Sequence, residues 1–254
     1  LPEAETFTLS RIYENETNEP IYDANDHQRR PRQVEVLEWQ TAAVKDDRGL
    51  EVYPLRFRLE QGTSLVRLEA EQEDMLLLRL EFRTHVDPGP YSAYAARYAG
   101  QREVTGIEPI VLEGESACRK SDSVLYPYHD RISPMTSPFS ISKIRMNYIG
   151  GENWKIANQW IEWEFEVEEP GLYQITLRSR QNYKRGIFVY RNIYLDGEIP
   201  FSELEQYAFS YDQNWNNEAL HDEEGNPFLF FLDEGKHTFR MGVSLGKMVE
   251  VIDA

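Results

Sequence analysis

The chain has 254 residues with a formal net charge of −17, and 41% of them are hydrophobic, 13% aromatic. That length holds one large domain or two modest ones around a sizeable core. The charge excludes a broad basic surface of the kind nucleic acid requires, and disfavours a peripheral role on an anionic membrane. The single cysteine, Cys118, excludes an intrachain disulfide and a cysteine-based zinc site. No run of about 18 apolar residues occurs, so no helical membrane span is predicted.

From the N-terminus, the first unit reads as residues 1–85. Leu55, Phe57 and Leu59 alternate, then Val66, Leu68 and Ala70, then Leu76, Leu78, Leu80 and Phe82. Period-two patterning between glycine or acidic turns predicts three half-buried strands. The unit is also half of an internal repeat. Residues 3–10 (EAETFTLS) align with 203–210 (ELEQYAFS), and 39–49 (WQTAAVKDDRG) with 215–225 (WNNEALHDEEG). Leu59–Gly62 aligns with Leu232–Gly235, and Val66–Leu68 with Phe239–Met241. The first copy lacks a counterpart for the stretch before Glu203, so it is expected to be the C-terminal part of a β-sandwich in a chain that is a piece of something longer.

Residues 86–105 read as a linker. Asp87-Pro-Gly-Pro90 breaks the strand pattern, and Tyr91, Tyr94, Ala95 and Tyr98 fall at helical spacing before Gly100, a plausible stop. The second unit, 106–254, carries the clearest strand, residues 159–167, with Ile161, Trp163, Phe165 and Val167 on one face and Trp160, Glu162, Glu164 and Glu166 on the other. Strands are also predicted after Gly171, over 187–195, and over 227–232 and 236–245, where His237, Phe239, Met241, Val243 and Leu245 share a face. Residues 119–150 are loop-rich. Many short strands with turns between them predict an all-β sandwich.

Several motifs of the second unit occur in a familiar order: Lys120-Ser-Asp122, Leu125-Tyr-Pro127, Asp130-Arg131, Ile149-Gly-Gly151, Gln159-Trp-Ile-Glu-Trp163, Gly171-Leu-Tyr173, Arg180-Gln-Asn182, Tyr194-Leu-Asp-Gly197, Pro200-Phe201 and Gly235-Lys-His-Thr238. They resemble the non-transporter region of large extracellular family 1 solute-binding lipoproteins that serve sugar ABC transporters in Gram-positive bacteria. Arg30-Pro-Arg-Gln-Val-Glu35, Trp39 and Asp46-Asp-Arg-Gly49 resemble the preceding domain of those proteins. The resemblance implies a galactose-binding-like jelly roll, akin to carbohydrate-binding modules, at the outer cell surface with its anchor outside this chain. Transporter membrane components would be reached through a domain this chain lacks. Such modules also bind structural calcium through acidic residues of the first strand. The candidates are Glu113 and Glu115 in Ile110-Val-Leu-Glu-Gly-Glu115, with Asp253 as a partner. The glycine between the two glutamates departs from the usual alanine.

An oligo- or polysaccharide ligand needs hydrogen-bonding groups that replace water around its hydroxyls and a flat ring against its apolar face. Trp154 follows a glycine-bearing loop at Gly150-Gly-Glu-Asn153, where binding residues collect on a sandwich. Arg180-Gln-Asn-Tyr-Lys-Arg185 offers donors, an amide and a ring together. The candidate sugar-binding residues are therefore Asn153, Trp154, Asn182, Tyr183, Arg185 and Trp215, on the assumption that their loops converge. Trp154 as a plug of the sandwich end, and Trp215 as a structural residue shared with Trp39, are the bland alternatives. Asp26-His-Gln-Arg-Arg-Pro-Arg32 is a basic patch in an acidic chain, able to fork onto uronate carboxylates or simply to pair with nearby glutamates. The histidines show no ligand spacing, and Asn15-Glu-Thr17 matches a common glycosylation pattern.

No Gly-x-Ser-x-Gly elbow, Gly-x-Gly-x-x-Gly or phosphate loop occurs, and 44 acidic residues make any carboxylate pair uninformative. A non-catalytic, carbohydrate-binding role is expected. A module of a polysaccharide-degrading enzyme and a ligand-free spacer are the alternatives.

Overall fold

The computed structural model describes residues 5–50, 53–71, 75–183 and 185–246. Among them are β1 (Ile12–Asn15), β2 (Gln33–Val36), α1 (Tyr91–Tyr98), β3 (Arg119–Lys120), β4 (Pro127–Tyr128), β5 (Tyr148–Ile149), β6 (Trp160–Val167) and β7 (Gly171–Gln174). The chain continues through β8 (Thr176–Ser179), β9 (Val189–Leu195), β10 (Tyr207–Phe209), β11 (Asn216–Ala219), β12 (Leu229–Leu232) and β13 (Gly235–Ser244). The protein is an all-β sandwich, as its patterning predicts.

One layer is a seven-stranded sheet in the order β10-β9-β13-β6-β3-β1-β2. The long strand β13 lies antiparallel between β6 and β9, placing Phe239 opposite Trp163 and Met241 opposite Ile193. The facing layer pairs β12 with β7 and β11 with β8. Only Ile175 separates β7 from β8, and its carbonyl accepts from the Leu220 amide at 2.9 Å. One run of backbone therefore changes partner at that residue. Between the layers lie Ile161, Trp163, Ile193, Phe239 and Met241 from the large sheet, packed on Phe201, Leu204, Leu220, Phe228 and Phe230. Each such aromatic or aliphatic side chain contributes roughly 1.5–3 kcal/mol through burial.

The linker helix forms where predicted and seals this layer. Tyr91 packs on Phe201 and Phe228, Tyr94 on Phe201, and Tyr98 stacks on Phe231. The Tyr91 and Tyr94 hydroxyls accept the amides of Leu229 and Phe231 at 2.9 and 3.0 Å. Alternate amides of a strand point to the same side, so two residues one helical turn apart cap the edge of β12 that β7 leaves unpaired.

Residues 5–40 do not stand apart. β1 pairs with β2 and, through Tyr13 opposite Lys120, with β3, so the N-terminal region widens the large sheet. Lys120 is fully buried and donates to Asn15 Oδ1 at 2.7 Å. Burial pushes its ammonium down to about 8.

Two strand expectations fail. The alternation over 55–59, 66–70 and 76–82 predicts strands, but the described residues there form none, and Leu65, Leu76 and Leu78 are 95%, 85% and 75% exposed. Alternation gives a segment a strand-like face, but a strand forms only with a hydrogen-bonded neighbour and a surface to cover. Ile110–Glu115 is likewise no strand; Gly114–Ser116 is a single 3₁₀ turn.

Candidate functional site

The short ladder of β4 and β5 sets Tyr128 directly opposite Tyr148. Their rings stack at 5.7 Å between centroids, with 21° between planes. Tyr126, two residues before Tyr128, extends the row at 4.8 Å. At the other end the ring of Trp215, in the loop before β11, meets Tyr148 edge-on at 5.8 Å. Four half-buried rings thus form a continuous row, drawn from three separate stretches of chain.

Each end carries a guanidinium. Arg30 lies 3.7 Å from the Tyr126 ring centroid and 5.1 Å from that of Tyr128. Arg180 lies 4.7 Å over Trp215. Asn153 supplies an amide: its Nδ2 donates to the Tyr128 hydroxyl at 2.6 Å, the Val124 carbonyl at 3.1 Å and the Tyr126 hydroxyl at 3.3 Å. A hydrogen bond between the Tyr126 and Tyr128 hydroxyls lowers the Tyr126 phenol pKa, helped by the charge of Arg30. Burial, then that same hydrogen bond, raises the pKa of Tyr128.

A buried carboxylate holds the Trp215 end. Asp130 Oδ2 accepts from Arg180 at 2.8 Å and from Trp215 Nε1 at 3.0 Å, while Oδ1 accepts the Ile132 amide at 2.7 Å. Burial by itself raises a carboxyl pKa. Here the bonds from Trp215 and Ile132 and the charge of Arg180 outweigh it and hold Asp130 below the usual range. Asn147, next to Tyr148, locks the same loop by accepting the Asp130 amide and donating to the Asp130 and Pro138 carbonyls. Arg30 comes from the N-terminal region, whose loop is bonded to the segment before β5. The Gln28 amide donates to Ile144, Gln28 Oε1 accepts from Met146, and His27 Nδ1 accepts from Ile144.

Of the residues proposed from sequence, Asn153 and Trp215 meet at this row through Tyr128 and Tyr148. Asn182, Tyr183 and Arg185 are exposed on the loop that leaves Arg180. That loop is braced by Gln181, which accepts the Tyr183 amide and donates to the Ile187 carbonyl. Asn182 and Tyr183 follow Arg180 by two and three residues, so their Cα atoms lie within about 11 Å of it. No hydrogen bond, ion pair or ring contact among the described residues joins these three to the row. Trp154 turns elsewhere. It packs against the core, its Nε1 is buried without an acceptor, and the Arg191 guanidinium covers its ring at 4.3 Å. Arg191 also donates to the Trp154 carbonyl at 3.0 Å, and burial pushes its pKa down to about 10. Gly150 makes this packing feasible, since a Cβ there would sit 3.0 Å from the Trp154 ring, at a φ of +98°. The plug reading therefore describes Trp154.

The sequence alone does not mark Tyr126, Tyr128, Asp130 and Tyr148 as site residues. Tyr126-Pro-Tyr128 carries a signal, two rings at strand spacing, but its pairing with Tyr148 and Trp215 is tertiary.

The calcium expectation meets a poor donor set. Glu113 is exposed, while Glu115 Oε2 is buried without a partner, and burial, then the charge of Glu113, push the Glu115 carboxyl up to about 7. Asp253 lies outside the described residues. Among those described, no three His, Cys, Asp or Glu side chains gather as a metal site. Calcium takes six to eight oxygens, and two glutamates on a turn, one of them favouring its neutral form, do not provide them.

No protein-family model matches the sequence, and no curated protein sequence does either. Solved structures with a slight likeness include the following two. One is a cycloisomaltooligosaccharide glucanotransferase of Paenibacillus sp. (18% identity, TM-score 0.39, covering 53% of this chain and 16% of that one). The other is a ruminal GH26 endo-β-1,4-mannanase (20% identity, TM-score 0.36, covering 57% and 25%). This chain thus spans a quarter or less of either protein, and neither likeness bears on its chemistry.

Proposed function

We propose that the protein is a non-catalytic carbohydrate-binding β-sandwich that holds an oligo- or polysaccharide along the Tyr126–Tyr128–Tyr148–Trp215 row. The observation that carries this reading is the row itself: four rings in successive contact, with guanidinium groups at both ends and a carboxamide alongside. The row offers a pyranose the apolar ring surface that Arg30, Arg180 and the neighbouring rings leave uncovered, and the polar groups replace hydrogen bonds its hydroxyls lose on leaving water. The exposed Asn182–Arg185 loop extends the contact beyond Trp215. The motif resemblance supports placing the module beside a sugar-transport binding domain at the outer cell surface.

The test is a glycan array probed with the intact chain, followed by titration of any hit. Tyr148→Ala should weaken binding by about tenfold or more, a loss on the scale of one stacking contact and its hydrogen bonds. Because Tyr148 is half-buried, the more peripheral Tyr126→Ala is run beside it, with melting temperature as the check on folding. Absence of any glycan hit, or unchanged affinity in both folded variants, removes the proposal.

A further inference from the structure

Resting on the saccharide reading of this row, we infer that its preferred ligand carries a carboxylate, a hexuronate-containing polysaccharide, and that Arg30 is the residue that selects it. The basic stretch 26–32 stands out in a chain with 44 acidic and 27 basic residues. The structure distributes that stretch unequally. Asp26 is taken by Arg145, with 2.8 Å between charges. Arg29 lines a separate cleft with Asn15, Gln28 and Glu115. Arg30 is exposed, its guanidinium 3.7 Å from the Tyr126 ring centroid, and forms no ion pair among the described residues.

The two ends of the row therefore differ. Arg180 is already neutralised by buried Asp130 and serves to position Trp215. Arg30 gives part of its donor capacity to the Tyr126 hydroxyl but keeps its charge, unmatched by any carboxylate among the described residues, and its remaining N–H groups for a ligand, while contact with Tyr126 limits the orientations it samples. A guanidinium fork matches a carboxylate in two parallel hydrogen bonds, which a hydroxymethyl group cannot return. A pyranose lying on the tyrosines has its C6 substituent at its rim, within reach of a group seated at the end of the row. Besides Asp130, which Arg180 neutralises, an exposed opposing charge is nearby: Glu152 precedes Asn153 and acts electrostatically on Tyr148. It repels an anionic ligand, so the preference is a balance between Arg30 and Glu152.

The experiment titrates the intact chain with polygalacturonate and with the same polymer fully methyl-esterified, alongside a neutral glycan panel. The free acid should bind about fivefold tighter than the ester, as expected for one exposed charge pair, and lose that advantage in high salt. Arg30→Gln should bring the ratio to about one, Arg30→Lys should restore part of it, and Glu152→Gln should increase it. Equal binding of acid and ester, or binding of neutral glycans alone, overturns the uronate preference and leaves the carbohydrate reading standing. A preference for the acid that survives Arg30→Gln overturns the role of Arg30. No binding to any glycan overturns both.

Discussion

Asp130 shows how one buried charge can organise a surface. It receives Arg180, Trp215 Nε1 and a backbone amide, and through them fixes one end of the aromatic row. Asp130→Ala leaves Arg180 without its partner in a largely buried position and should destabilise the fold by about 3 kcal/mol in urea unfolding. A change under about 0.5 kcal/mol would mean the network is dispensable. Glu115 makes the opposite kind of prediction. Its carboxyl is raised from 4.5 to about 7 by burial, so the folded state holds a proton that the unfolded chain has released. Its favourable share of stability is complete below about pH 4.5 and is lost as pH rises through 7. Glu115→Gln removes that loss, worth at most about 3 kcal/mol. The variant should match the parent near pH 4.5 and exceed it at pH 8. A difference between the two that does not change with pH would contradict the assignment.

At the scale of elements, α1 acts as an edge cover rather than as a linker alone. Its tyrosines bury rings against Phe201, Phe228 and Phe231 and present hydroxyls to two β12 amides. Tyr94→Phe keeps the ring and removes the acceptor for Phe231, so it should cost about 1 kcal/mol, with faster hydrogen exchange at the Phe231 amide. Replacing Phe201, which is fully buried and touched by both Tyr91 and Tyr94, with alanine should cost about 3–5 kcal/mol. Melting curves of the two variants distinguish a polar cap from a packing contact. If Tyr94→Phe is as damaging as Phe201→Ala, the hydroxyl is not the smaller part of this seam.

For the whole molecule, the two halves of the repeat have opposite fates. Leu59 is 49% exposed and its counterpart Leu232 only 3%; Val66 is 44% against 6% for Phe239; Leu68 is 43% against 8% for Met241. Amides over residues 56–71 should therefore exchange within seconds, while those of β6 and β13 persist far longer, since exchange follows local opening. Comparable protection in both regions would show that 56–71 has found a partner. Replacing Leu65, Leu76 and Leu78 with serine should reduce self-association at high concentration and leave unfolding free energy within about 0.5 kcal/mol, because these side chains cover nothing.

What the sequence determined by itself is what depends on neighbours along the chain. The strand at 159–167, the pair at 227–232 and 236–245, and the helix after Pro90 follow from periodicity and turn residues, and each forms. Trp163 as core also follows, because its face is set by alternation. Tertiary structure decided whatever needs a second strand or a second loop. The same alternation gives buried strands at β12 and β13, where β7, β6 and β9 are present to pair, and no strands among the described residues of 55–82, which have no such partner there. It decided that β1 and β2 join the sheet of the second unit, that Trp154 turns inward under Arg191, and that Arg30 reaches Tyr126 across 96 residues of chain. A pattern states which face of a segment is apolar. Only the assembled fold states whether anything lies against that face.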